Sequence, residues 1–104
     1  MRELSASEAA TLHAQSSVRL LDVREPWEHE LVHVAGALHI PMGEIPARLA
    51  DIPADQPLVV MCHHVMRSMQ VAHFLLANGF KDVANLDGGI DAWAAVVDPA
   101  LARY

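Results

Sequence analysis

Between Pro57 and Met61 the chain reads Pro-Leu-Val-Val-Met, a short continuous apolar run. That is the pattern of a strand buried on both faces, as in a parallel sheet, and not of a strand with one wet face. The neighbouring segments fit the same architecture. Ser68 to Asn78 carries Val71, Ala72, Leu75 and Leu76 at helical spacing, and Gly79 stops it as a C-terminal cap. Val18–Val23 and Asp82–Leu86 repeat the strand signal, and Ala37–Ile40 adds a shorter strand closed by Pro41.

Helices are expected between these strands. Ser5-Ala6-Ser7-Glu8 is a capping-box pattern opening a helix of about ten residues. Pro26 suits the first turn of a brief helix within Glu25–Glu30, and Pro46 the first turn of one running through Leu49. Gly88-Gly89 opens another that runs through Trp93. Strands alternating with helices predict an α/β domain, a mainly parallel sheet with helices on both sides. At 104 residues without repeat or linker, the chain reads as one domain, 1–104.

Composition narrows the function. With 53% hydrophobic and 19% charged residues a core is expected and disorder is not. A formal net charge of -6 and scattered Lys and Arg leave no basic stripe, so no nucleic-acid partner is expected. The start, Met1-Arg2-Glu3-Leu4-Ser5, lacks the apolar stretch of a signal peptide. No apolar run approaches the roughly 20 residues that span a bilayer. One cysteine excludes an intrachain disulfide and a CxxC pair. No membrane partner and a cytoplasmic setting, where the thiol stays free, are the expectation.

That cysteine, Cys62, stands where the Pro57–Met61 strand ends and a loop leads into the next helix. Ligands of open α/β sheets bind beyond the carboxyl ends of strands. Cys62-His63-His64-Val65-Met66-Arg67-Ser68 then enters the amino end of a helix, whose unpaired N–H groups and dipole favour a thiolate or an anion. Arg67 adds a permanent positive charge. A thiolate is the nucleophilic form and could attack an electrophilic sulfur or phosphorus centre. By position alone, a lone Cys after a strand is also well explained as a small core hydrophobe. The trailing arginine is what a core cysteine does not need.

At these residues the sequence resembles the rhodanese superfamily. The family's loop is a cysteine, two variable residues, glycine, one variable residue, arginine or a small polar residue, then often serine; Cys62, Arg67 and Ser68 fit it. Asp22-Val23-Arg24-Glu25 is similar to the family's stretch after an early strand, and His33-Val34-Ala35-Gly36-Ala37 with Ile40-Pro41 to its H-I-x-G-A and I-P segments. Gly79-Phe80, Val83, Leu86, Gly88-Gly89-Ile90 and Trp93 match its closing positions, so the resemblance runs from about Val18 to Trp93.

The resemblance implies a three-layer rhodanese-like fold, with a central sheet of about five short strands. It implies a thiosulfate sulfurtransferase in which Cys62 takes a sulfur as a persulfide and passes it to cyanide or a thiol. The partners it implies are a small anionic sulfur donor, such an acceptor, and a sulfur-relay protein. Residues 63–68 (His63, His64, Val65, Met66, Arg67 and Ser68) would form the substrate-binding loop, Arg67 holding the donor, with no cofactor. Asp22, Arg24, Glu28 and His33 would brace it. Val65 stands where the family has glycine, and Val32 where it often does, before His33. A β-branched residue at positive φ would be strained, and a distorted loop would make the chain a weak sulfur-relay or regulatory binding module instead. Related phosphatases place one more residue between cysteine and arginine than the four here, which argues against phosphate chemistry. His63-His64 beside Cys62 raise a metal site, but adjacent residues in a tight loop rarely converge on one ion, so none is expected. Trp27, Trp93 and the methionines around the loop read as packing, and Asp98–Tyr104 carries no chemical signal.

Overall fold

The computed structural model describes residues 1–104. The strands are β1 (Arg2–Leu4), β2 (Arg19–Asp22), β3 (Leu38–His39), β4 (Leu58–Met61) and β5 (Val83–Leu86). The helices are α1 (Ala6–Ala14), α2 (Pro26–Leu31), α3 (Met66–Ala77) and α4 (Gly89–Val96). All strands are parallel, in the order β1-β5-β4-β2-β3. This is the expected α/β architecture, with two local differences. The first strand, Arg2–Leu4, is an edge strand whose three residues carry no alternation for a sequence to display. The segment after Pro46 is a 3₁₀ turn, Pro46–Asp51, broken by non-helical backbone at Arg48 (φ -121°), and not an α-helix.

The pleat sorts side chains onto two faces. Leu20, Val59, Met61, Ala84 and Leu86 face one way and pack with Ala9 of α1 and Ile90 and Trp93 of α4. Leu21, Leu58, Val60 and Val83 face the other and pack with Val71, Ala72 and Leu75 of α3 and with Ile45 and Ile52, which flank the 3₁₀ turn. β4 and β5 are buried at every residue, as the apolar run of β4 implied. Continuing the alternation one step past β4 places Cys62 on the α3 face.

Ser5 caps α1 with the capping box that its sequence announces: Glu8 N–H donates to Ser5 Oγ and Ser5 N–H donates to Glu8 Oε1. No helix is long and apolar enough to cross a membrane.

Candidate active site

Cys62 lies beyond the carboxyl end of β4 at the centre of the sheet, and the loop from it runs into α3. Its side chain is 1% exposed and lies at the base of a cavity of about 170 Å³ lined by residues 62–67. The Cys62 thiol donates to Ser68 Oγ over 3.3 Å. Ser68 is fully buried in the first turn of α3.

None of the backbone N–H groups from Cys62 to Ser68 donates to an acceptor within the protein; the first to do so is that of Met69, to the Val65 carbonyl. Part of this is the rule for a first helical turn, whose amides have no carbonyl one turn back. Here the unpaired run extends through the loop as well. The carbonyls of Cys62, His63 and Val65, in contrast, are engaged. Ile90 N–H donates to Cys62 O at 2.9 Å and Asp91 N–H to His63 O at 3.1 Å, so the start of α4 grips the loop. Gly89 permits this approach: it sits at φ +59°, and a Cβ there would collide with the Cys62 and His63 carbonyls.

Val65 has φ -148° and ψ -32°, and the only non-glycine residue with positive φ in the chain is Ser16. The strain that valine would suffer at positive φ therefore does not arise.

Arg67 gives NH1 and NH2 to Glu28 Oε1 and Oε2, at 2.5 and 2.9 Å, in a two-pronged pair. Burial by itself would raise the Glu28 carboxyl; the bonds from Arg67, from the Tyr104 hydroxyl and from the Glu25 backbone outweigh it and bring the group down to about 2. Arg67 is raised in turn, chiefly by the bond to Glu28. The fork assigned to an anionic donor is thus occupied by a carboxylate of the protein.

The bracing residues divide into two groups. Arg24, fully buried, pairs with Asp22 through NH2–Oδ2 at 2.7 Å and donates to the carbonyls of Glu28 and Val32. Glu28 belongs with Arg67 instead. Tyr104 joins the two groups: its hydroxyl donates to Glu28 Oε2 at 2.6 Å and accepts from Arg24 NH1 at 3.0 Å. Its ring stacks on His63, centroids 4.0 Å apart at 18°. Nothing in Asp98–Tyr104 as a sequence announces this, because it depends on where the segment lies after α4. Asn85, on β5, was equally unmarked: it reads as one more residue in a buried strand, yet Ser68 Oγ donates to its Oδ1 at 2.5 Å.

His33 is exposed and its Nδ1 bonds the His29 carbonyl, 3.0 Å away. His63, His64 and Asp91 bring ligand-type atoms within 4.8 Å of one another, so the third group comes from α4 and not from the loop. Asp91 is already paired with Arg103 at 3.0 Å and lies 3.4 Å from His64.

The Rhodanese-like domain family model matches residues 5–96. The chain belongs to the rhodanese-like domain family. Among rhodanese relatives, it is 36% identical over 93 residues to the thiosulfate sulfurtransferase GlpE of Tolumonas auensis, covering 89% of this chain and 88% of that one. A rhodanese-related protein of Thermoplasma volcanium superposes with a TM-score of 0.87 at 26% identity, over the whole of both chains. A rhodanese-like domain protein of Staphylococcus aureus gives 0.85 at 30% identity, over 100% of this chain and 99% of that one. These likenesses place the chain in a sulfurtransferase family. Its rhodanese loop differs from the family pattern at Val65 while keeping Cys62, Arg67 and Ser68.

Proposed function

We propose that the chain is a sulfurtransferase that carries a sulfane sulfur on Cys62 between a donor such as thiosulfate and a thiophilic acceptor. The observation that supports this most directly is the run of unpaired amides from Cys62 to Ser68, in the loop that follows the one cysteine of the chain. Amides without acceptors at the start of a helix form an anion site, and an anion at the loop mouth satisfies them. The Cys62 thiolate attacks the outer sulfur of thiosulfate; the new S–S bond forms as the old one breaks, and its electron pair leaves with sulfite. Cyanide or a thiolate then attacks the outer sulfur of the persulfide and releases Cys62 as thiolate. Amide donors stabilise the anionic outer sulfur as an oxyanion hole stabilises oxygen. No cofactor enters either step.

A sulfur-relay or regulatory module is the second reading. Strain at positive φ no longer motivates it, since Val65 sits at φ -148°. What favours it is Arg67: a cation neutralised by Glu28, in a chain of net charge -6, attracts free thiosulfate weakly. A protein persulfide donor does not depend on that attraction.

Thiosulfate plus cyanide should yield thiocyanate with wild type and none with Cys62→Ser. Intact-mass measurement after exposure to thiosulfate or to a protein persulfide should show one added sulfur on Cys62. Loading from the protein donor alone selects the relay, and loading from neither removes sulfur transfer altogether.

A further inference from the structure

Asn85 is fully buried, where a polar side chain costs free energy unless it is bonded. Its position is set by the register. Asn85 pairs with Glu3 across β1–β5 and with Val60 across β5–β4, and the pleat turns it to the α3 face, the face of Cys62 and Ser68. Four side chains then form a line. The Cys62 thiol donates to Ser68 Oγ at 3.3 Å, Ser68 Oγ donates to Asn85 Oδ1 at 2.5 Å, and Asn85 Nδ2 donates to Glu3 Oε1 at 3.2 Å.

The hydrogens along this line are limited in number. A carboxylate only accepts, so Glu3 fixes the Asn85 amide with its nitrogen outward and its oxygen toward Ser68. Ser68 has one hydroxyl hydrogen and three neighbours that could receive it: Asn85 Oδ1, the Val65 carbonyl at 3.1 Å, and Cys62 Sγ. The contact to Asn85 is the shortest. While the hydrogen points there, Ser68 offers the sulfur a lone pair, which suits S–H and not S⁻.

Building on the assignment of Cys62 as the reactive sulfur, we propose that Asn85, oriented by Glu3, is a positioning residue that draws the Ser68 hydrogen away from Cys62 and so restrains its ionisation. When Cys62 does ionise, its proton passes to solvent at the loop mouth and the Ser68 hydrogen swings from Asn85 Oδ1 to Sγ. The loop amides favour this swing and Asn85 opposes it. Asn85 thus keeps the unloaded sulfur a hydrogen-bonded thiol and lowers its reactivity toward unintended electrophiles.

The test measures Cys62 alkylation by iodoacetamide at fixed neutral pH, together with ultraviolet thiolate absorbance referenced to Cys62→Ser. Asn85→Leu should raise the alkylation rate about tenfold, the value of one hydrogen bond to a charged group, with a parallel rise in thiolate absorbance. A folded Asn85→Leu protein that alkylates at the wild-type rate or slower overturns the proposal. Glu3→Lys supplies an independent variant on an exposed side chain. An ammonium only donates, so it should turn the amide and present nitrogen to Ser68. A severalfold rise in reactivity that persists at high salt supports the proposal; no rise, or one that salt abolishes, overturns it. Neither readout needs sulfur transfer. A chain that forms no thiocyanate but shows these shifts loses the proposed activity and keeps the role of Asn85, and the reverse result separates them equally well.

Discussion

Arg67 reaches Glu28 with both terminal nitrogens, at 2.5 and 2.9 Å, and Glu28 is all but inaccessible to solvent. A residue that family resemblance assigns to the substrate is thereby also the counter-ion of a buried carboxylate. The pair ties the first turn of α3 to α2, so the loop between β4 and α3 is held at its far end.

Removing one partner should therefore cost more than removing both. Arg67→Met leaves a buried carboxylate uncompensated and is expected to destabilise the fold by about 3 kcal/mol. Arg67→Met with Glu28→Gln should recover most of that, a coupling that urea denaturation of the four proteins in a double-mutant cycle measures. Simple additivity of the two single changes would show that the pair contributes nothing of its own.

Acid should weaken the fold through the same carboxylate. Glu28 sits at about 2 in the folded chain against 4.5 unperturbed, so the unfolded state binds the proton first. The contribution is present in full above about pH 4.5 and is lost as pH falls from there through about 2, in total on the order of 3 kcal/mol. Glu28→Gln should flatten the stability profile across this window, as read from urea midpoints at successive pH values. A profile as steep as that of wild type would place the acid sensitivity elsewhere.

A second pH dependence belongs to the histidines. His29 is sandwiched between His33 and His39, with centroids 4.3 Å away on each side and interplanar angles of 14° and 11°. Burial first, then the neighbouring imidazoles His39 and His33, lowers its affinity for a proton. A base with a depressed folded value gives stability that is present above its ordinary value of 6.5 and is lost as pH falls below it. The melting temperature should drop between about pH 7.5 and about pH 5.5, and less so in His29→Phe, which keeps a ring in the stack but does not titrate.

Tyr104 makes two kinds of contact that substitution can separate. Tyr104→Phe keeps the ring on His63 but removes the hydroxyl between Arg24 and Glu28, and should cost about 1 kcal/mol. Tyr104→Ala removes both and should cost roughly twice as much, with faster amide hydrogen exchange in residues 63–67. Unchanged exchange in that loop would show that the stacking does not hold it.

Gly89→Ala places a methyl group against the Cys62 and His63 carbonyls at a positive φ. A loss of about 2 kcal/mol or more is expected, and sulfur loading of Cys62, read by intact mass, should fall more than the stability loss explains. Loading equal to that of wild type would mean that the loop does not need the grip of α4.

The local patterns of the sequence determined the element types and the place of Cys62 and its loop. An unbroken Leu-Val-Val-Met run bounded by proline and a polar loop is the pattern of a doubly covered parallel strand, and the cysteine, arginine and serine of the loop come directly after it. Element types are set over a few neighbouring residues, which is why β2, β4, β5 and the helices were legible, while a three-residue edge strand and a 3₁₀ turn were not. Only the tertiary structure decided which groups, distant in sequence, complete the site. Asn85, Gly89 and Tyr104 join Glu28, which the sequence had already marked as a brace, and reach the loop from β5, α4 and the segment after α4 through strand register, the pleat and the course of the chain. Hydrogen bonds and ion pairs act over about 3 Å between groups far apart along the chain. No local pattern records such a meeting until the sheet is assembled.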